Sequence, residues 1–235
     1  MNARPIEILE AIEPYSHRRA AHRELALFLA RSLPQIARRD TSPAHLTASV
    51  FAVDAEQARV LLVWHPKFER WLQPGGHCDG EVDLGAVARR ELVEETGLQP
   101  VAIDAIPFDV DVHPGEPGAP PHMHADVRFV ALTEPGASAS ATPSPEALEL
   151  RWFAAEEIAE DWLREPAEIA IARAHPKTPS TGPLRGLAGA DMLGEPPGSP
   201  RPPPPVRFAD ERLRRWAILD SNQGPPPYQS GALTD

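Results

Sequence analysis

Two spacings of apolar residues divide the first half of the chain into predicted helices and strands. Residues 6–12 predict a short helix, and residues 17–33 predict a longer one that Pro34 interrupts; its apolar positions are Leu25, Phe28, Leu29 and Leu33. Residues 46–53 and 59–65 favour strands joined by a turn at 54–57. The continuous apolar run at residues 60–63 is typical of a central strand.

The clearest alternation lies at residues 124–132. One face carries Met123, Ala125, Val127 and Phe129, and the other carries His124, Asp126 and Arg128. Residues 101–112 and 148–153 predict further strands, and residues 154–162 and 168–174 predict two closing helices. The pattern as a whole indicates an α/β domain with a mixed sheet between helices.

Acidic residues take unusual positions on the helix predicted after the glycines at 75 and 76. On a helical wheel three glutamates share an arc with apolar side chains; the acids are Glu91, Glu94 and Glu95, and the apolar residues are Leu84, Val87, Ala88 and Leu92. A solvated amphipathic helix would carry its acids on the opposite face. Asp83 is expected as the N-cap and Gly97 as the C-terminal stop.

This arrangement indicates metal chemistry. Glu91 and Glu95 are i,i+4 neighbours of like charge, and a cation between them would remove their repulsion. Arg90 is placed to brace Glu94 from the side. We expect the polar face of residues 124–132 to form a pocket wall beside this helix. The alternative is a surface helix with solvated acids.

The residues that carry this pattern resemble the Nudix box. Its spacing is matched by Gly76, Arg90, Glu91, Leu92, Glu94, Glu95, Gly97 and Leu98. One position departs, because Val82 stands where the box has its first glutamate, with Glu81 and Asp83 beside it. In the family that glutamate mostly supports the loop and helix, so the departure concerns loop geometry more than metal binding.

The resemblance extends from about residue 5 to residue 174. HLTAS at 45–49, WLQPGGH at 71–77 and HMHADVRF at 122–129 look like a bacterial Nudix subgroup without a settled substrate. It implies a Nudix-like α/β/α sandwich in residues 1–175, with an N-terminal helical extension. It is also compatible with a homodimer, since the family often dimerises.

The function that the resemblance implies is Mg²⁺- or Mn²⁺-dependent hydrolysis of a phosphoanhydride in a nucleoside-diphosphate-linked substrate or related nucleotide. Glu91, Glu94 and Glu95 would hold the metal with the carbonyl of Gly75, and Arg90 would orient a glutamate. Many family members carry a further carboxylate as general base or metal ligand, for which Glu146 ranks above Glu149.

Two rival functions stay open. One is a non-catalytic nucleotide-binding or regulatory module on the same fold, which Val82 slightly favours. The other is a prenyl diphosphate isomerase, which needs a catalytic cysteine, for which Cys78 is the only candidate.

Substrate contacts are expected from Lys67, His113, His124 and Arg128. Lys67 is placed to reach a phosphate, although a solvent-exposed strand end is an equal alternative. A three-histidine metal site at His113, His122 and His124 is another interpretation, but zinc sites usually have more regular spacing. The arginine cluster of Arg18, Arg19 and Arg23 is interpreted as a solvated face rather than a substrate contact.

Composition narrows the class of protein. The net charge is −11 with no basic stripe, which argues against stable nucleic-acid binding. A single cysteine excludes a disulfide framework. No signal-peptide pattern and no membrane-length apolar stretch occur, so a cytoplasmic protein is expected.

Residues 176–235 are rich in proline and glycine, and we expect a disordered tail there. A proline run at 202–205 leaves a polyproline ligand as the alternative. Residues 219–223 can be encoded by codons whose complement looks like the T-arm of a transfer RNA gene. Residues 227–230 can be encoded by codons whose complement looks like an isoleucine anticodon loop. One hypothesis is therefore that about the last 20 residues are antisense read-through, which the nucleotide sequence would decide.

Overall fold

The computed structural model describes residues 4–54, 56–134, 141 and 149–174. Four α-helices are described within these ranges, together with a 3₁₀ turn at Ala155–Glu157: α1 Pro5–Glu10, α2 His17–Ser32, α3 Leu84–Thr96 and α4 Asp161–Ala174. The strands are β1 Ala44–Asp54, β2 Arg59–His65, β3 Arg70–Leu72, β4 Gly75–His77, β5 Ala102–Ile103, β6 Asp109–Pro114, β7 Met123–Leu132 and β8 Glu149–Phe153.

The eight strands form one mixed sheet. Its main path runs β3-β2-β1-β7-β5, while β4 pairs with β1, β6 with β7 and β8 with β2. β1 and β7 are parallel over ten residue pairs, from Ala44 opposite Met123 to Val53 opposite Leu132, and the other pairings are antiparallel. The mixed sheet predicted from the pattern is confirmed.

Helices cover both faces of the sheet. α4 buries Leu163, Ala167 and Ala170 in a core that includes Phe51 of β1 and Val130 of β7. α3 lies on the opposite face, where the position of Gly85 is in contact with the ring of Phe129. α2 contacts β6 on the α4 side. The α/β/α layering is therefore confirmed.

The alternation along β7 is present, but its polar face does not lie beside α3. His124, Asp126 and Arg128 point away from α3, because adjacent residues of a strand face opposite sides and Phe129 faces that helix. The expectation of a pocket wall shared with the glutamates is therefore wrong. Asp126 instead accepts hydrogen bonds from Thr47 and Ser49 of β1, at 3.0 and 2.7 Å.

Two segments were divided differently by the pattern. Residues 101–112 form two strands, β5 and β6, rather than one. The closing helices predicted at 154–162 and 168–174 are a 3₁₀ turn and the single helix α4, which contains Pro166. Pro166 lacks the N–H that would donate to the carbonyl oxygen of Trp162 four residues earlier. Arg19 of α2 donates to that carbonyl oxygen instead, at 3.3 Å. The missing hydrogen bond is thereby replaced.

The chain divides into two units, Met1–Pro176 and Lys177–Asp235. The second unit, with the predicted tail and the read-through hypothesis, lies outside the described residues. Among the described helices, none is long and apolar enough to cross a membrane.

Candidate active site

The glycine turn packs directly against the acidic helix. A side chain on Gly76 would place its Cβ 2.5 Å from a carboxylate oxygen of Glu91, which is closer than such atoms approach. The N–H of Gly75 donates to Glu95 Oε2 at 3.2 Å. Glycine at residue 76 leaves the space that the carboxyl group of Glu91 occupies, whereas a Cβ on Gly75 would lie 2.8 Å from Cα of Ser49, so glycine is required at residue 75.

The ends of α3 follow the prediction. Asp83 caps the N-terminus by accepting a hydrogen bond from the N–H of Ala86 at 3.0 Å. Gly97 ends the helix in the left-handed region, with φ 70°, which costs glycine little. The buried side of the helix holds Leu84, Val87, Ala88, Leu92 and Thr96.

Arg90 joins the helix to the turn. Its Nη2 donates to Glu91 Oε1 at 2.7 Å and to the carbonyl oxygen of His77 at 2.9 Å. Its Nε lies 3.9 Å from Glu94 Oε1. The pattern predicted that Arg90 braces Glu94, whereas the shorter contact holds Glu91.

The glutamates of α3 have different environments. The side chain of Glu94 is 62% exposed, whereas that of Glu91 is 14% exposed. Burial raises the pKa of Glu91, although Arg90 opposes this shift. A bound cation would favour the ionised form of Glu91 more strongly than Arg90 does alone.

The departure at Val82 has a local explanation. Val82 is 39% exposed and is not part of the core. Glu81 Oε1 accepts the N–H groups of Val82 and Asp83 at 2.8 and 2.9 Å, while Asp83 caps α3. The neighbouring acids thus hold the loop.

The donor chemistry of this region fits a hard divalent cation, since it offers carboxylates and a backbone carbonyl. In the described part of the chain, however, two groups of three side chains have donor atoms close enough to share a metal ion, within 4.8 Å of one another. Neither group includes a glutamate of α3. Glu91 and Glu95 are occupied by Arg90 and Gly75. The metal role of Glu91, Glu94, Glu95 and Gly75 stays a prediction.

Of the other expected residues, Glu146 lies outside the described residues. Glu149 is exposed at the start of β8, and Lys67 is exposed in the turn between β2 and β3. His113 and His124 lie at the paired ends of β6 and β7, on the face opposite α3. His113 and His124 are thus not brought together with the glutamates.

Arg128 is buried in an ion-pair network under α2. Its guanidinium lies 3.1 Å from Asp109, 3.0 Å from Asp111 and 3.3 Å from Asp126, and the residue is 1% exposed. Burial opposes ionisation of Asp111, but Arg128, His113, His22 and Arg19 together outweigh it and hold the pKa of that carboxyl well below its ordinary value. Arg128 therefore contacts protein carboxylates where a substrate contact was expected.

Arg19 belongs to the same network. It lies 2.7 Å from Asp111 and 3.4 Å from Asp109 and is as buried as Arg128. The interpretation of Arg19 as part of a solvated face is wrong, because β6 places two aspartates under α2. The spacing of the arginines carried no information about these partners.

A cluster of histidines lies on the sheet face opposite α3. His45 is directly opposite His124 in the parallel pairing of β1 with β7, and His77 of β4 pairs with Thr47. The loop between β6 and β7 adds Glu116 and His122. Ring centroids of His45 lie 4.8 to 5.1 Å from those of His77, His122 and His124.

The sequence pattern did not identify His45 and His77 as members of this cluster. Both residues belong to the segments that resemble the Nudix subgroup, yet their proximity depends on the pairing of β1 with β7 and β4. Burial and the neighbouring histidines lower the pKa of His124 to about 2, so that ring is neutral at neutral pH.

A cavity of about 290 Å³ borders the cluster and is lined by His45, His77, Glu116 and His122, with Arg39.

Cys78 lies behind the glycine turn and is buried. Burial raises the pKa of its thiol to about 12, which opposes formation of the thiolate. A nucleophilic or isomerase role for Cys78 is therefore unfavourable.

Comparisons with solved structures find similar proteins. A hydrolase of the NUDIX family from Clostridium perfringens is 23% identical, with 55% of this chain and 97% of that chain covered and a TM-score of 0.45. The MutT protein from Methanosarcina mazei Go1 is 20% identical, with coverage of 57% and 94% and a TM-score of 0.40. The E. coli dihydroneopterin triphosphate pyrophosphohydrolase is 16% identical, with coverage of 55% and 92% and a TM-score of 0.40.

No curated protein matches the chain. The NUDIX domain family matches residues 43–174, which is more than half of the chain and includes the glycine turn, α3 and the whole described sheet. The protein therefore belongs to the Nudix family and is a pyrophosphohydrolase of the Nudix type.

Proposed function

We propose that this protein hydrolyses a phosphoanhydride bond in a nucleoside-diphosphate-linked substrate or related nucleotide, with Mg²⁺ or Mn²⁺ as the cofactor. The observation that carries the proposal is the contact between the glycine turn and α3. There, the Glu91 carboxylate occupies the space over Gly76 and Arg90 ties it to the carbonyl of His77. This arrangement brings carboxylate and backbone carbonyl oxygens together, which are the ligands that a hard divalent cation prefers.

Glu91, Glu94 and Glu95 would hold the cation, with the carbonyl of Gly75. When bound, a divalent cation supplies charge neutralisation for the phosphates and lowers the pKa of a water molecule. Glu91 is the oriented ligand, because Arg90 fixes one of its oxygens. Glu94, which is exposed, is free to face substrate and solvent. Glu146 remains the proposed general base on the strength of the resemblance.

The four expected substrate contacts have unequal support in this proposal. Lys67 is exposed and keeps its proposed role at a phosphate. Arg128 is assigned to the ion-pair network instead, because its three carboxylate partners already satisfy its charge. His113 and His124 lie across the sheet from α3, so a substrate that reached them would have to extend around β4.

A screen for turnover tests the proposal. The full-length protein is incubated with dinucleoside polyphosphates, nucleoside-diphosphate sugars, ADP-ribose, NADH, coenzyme A and oxidised nucleoside triphosphates. Each reaction is run with Mg²⁺, with Mn²⁺ and with excess EDTA, and the products are resolved by chromatography. We expect metal-dependent cleavage of at least one nucleotide between phosphorus atoms. Nucleotide binding without any metal-dependent cleavage would support the non-catalytic module instead.

A further inference from the structure

The histidine cluster opposite α3 has the composition of a transition-metal site. It brings imidazole nitrogens from two strands and one loop to the same place and adds a single carboxylate. Imidazole suits Zn²⁺ and related ions, whereas Mg²⁺ and Mn²⁺ prefer oxygen ligands. This donor set therefore differs in kind from the glutamates of α3.

Three donor atoms lie close to the spacing that a tetrahedral ion requires. His122 Nε2 lies 3.0 Å from His124 Nε2, and Glu116 Oε2 lies 3.4 and 3.5 Å from these two nitrogens. Bonds of about 2.0–2.1 Å in a tetrahedral zinc site place neighbouring donor atoms roughly 3.3–3.4 Å apart. Only small movements would separate the two nitrogens enough to admit an ion.

His45 supplies the fourth donor. Its ligand nitrogen lies within 4.8 Å of those of His122 and His124. The residue is 3% exposed, and its Nε2 is a buried atom without a hydrogen-bond partner among the described residues, as is Glu116 Oε2. An unpaired buried nitrogen costs free energy, and a cation held by His122 and His124 would satisfy His45 Nε2.

The backbone orients two of these rings for metal binding. His122 Nδ1 is 2.8 Å from the carbonyl oxygen of Pro120, and His45 Nδ1 is 3.3 Å from that of Thr41. A carbonyl oxygen only accepts, so each Nδ1 carries the proton and each Nε2 presents a lone pair. Metal-binding histidines characteristically donate their other N–H in this way.

We propose that His45, His122, His124 and Glu116 form a Zn²⁺ site that is separate from the glutamate site on α3. His77 lies at the edge of this zinc site, within reach of Glu116 and His124. Because His122 and Glu116 belong to the loop between β6 and β7 whereas His45 and His124 belong to the sheet, the ion would fasten this loop to the sheet. Without the ion, a proton on His124 Nε2 can bridge to His122 in its place.

The test measures zinc binding rather than turnover. The full-length protein is stripped with a chelator, and its affinity for Zn²⁺ is measured by competition with a chromogenic chelator, with and without millimolar Mg²⁺. We expect one tightly bound Zn²⁺ that Mg²⁺ does not displace, and tetrahedral visible absorption when Co²⁺ replaces it. No bound Zn²⁺, or Zn²⁺ that millimolar Mg²⁺ removes, would overturn the proposal.

Variants locate the site. His122→Ala and Glu116→Gln change loop residues outside the buried core, and each should weaken Zn²⁺ binding by at least about tenfold. His17→Ala, an exposed histidine of α2, is the matched control and should bind as the wild type does. Glu94→Gln should also retain Zn²⁺, which separates this site from the proposed catalytic metal. Unchanged affinity in both loop variants would contradict the assignment.

Discussion

Arginine–carboxylate contacts occur on both faces of the sheet, and burial gives them different consequences. Around Glu91 the contact is half-buried, and desolvation still raises the pKa of the carboxyl group. Around Arg128 three carboxylates surround a fully buried guanidinium. The box spacing identified Glu91 in advance, whereas the partners of Arg128 depend on the register of β6 against β7, which local pattern does not contain.

The first prediction concerns stability. Arg128→Met should lower the free energy of unfolding by about 3–5 kcal/mol, because it leaves the buried Asp126 without a cation and leaves Asp109 and Asp111 with Arg19 as their remaining arginine. Chemical denaturation measures the change. The control is Arg38→Met, because the Arg38 side chain is 55% exposed and pairs with Asp40 at the surface. This variant should lower the free energy of unfolding by less than about 1 kcal/mol. Wild-type stability of Arg128→Met together with a raised KM would restore the substrate-contact assignment.

The second prediction concerns Val82. Val82→Glu should leave kcat/KM within about tenfold of the parent, a window of roughly 1.4 kcal/mol, because Glu81 and Asp83 already bond the loop. Steady-state kinetics on the best substrate from the screen provides the measurement. A gain far above tenfold would mean that the loop of the natural sequence is defective for catalysis.

At the scale of elements, periodicity predicted α2, α3 and the longer strands, but not the unbroken helix α4. The helix at 84–96 was predictable because its cap, apolar arc and terminal glycine all lie within the local sequence. The break predicted between residues 162 and 168 was wrong for a tertiary reason, since Arg19 replaces the hydrogen bond that Pro166 removes. Such compensation comes from a helix far away in the sequence and cannot be read locally.

The third prediction tests the N-cap of α3. Asp83→Ala should lower the free energy of unfolding by about 1 kcal/mol, because the N–H of Ala86 loses its acceptor. Thermal denaturation compares Asp83→Ala with the control Asp104→Ala. The Asp104 side chain is 47% exposed and contacts Arg173 only at 3.9 Å. Equal melting temperatures for the two variants would show that the cap contributes nothing measurable.

At the scale of the whole molecule, the sheet separates two chemically distinct groups of residues. Carboxylates face the glycine turn on the α3 side, and imidazoles gather on the other side. The sequence predicted the first group because the box is contiguous. Of the second group it indicated only His122 and His124, within a three-histidine interpretation that included His113. His45 and His77 join them only when β1 pairs in parallel with β7 and antiparallel with β4.

The most direct test of the proposed catalytic site is the initial rate of Mg²⁺-dependent hydrolysis by Glu94→Gln and Glu95→Gln at saturating Mg²⁺. Both variants should keep the fold by circular dichroism and lose about 10²-fold or more in rate, because metal-organised electrostatic stabilisation is lost. Glu56→Gln, an exposed glutamate in the turn after β1, should match the wild type. Near wild-type rates in either α3 variant would contradict the assignment of these glutamates to the metal.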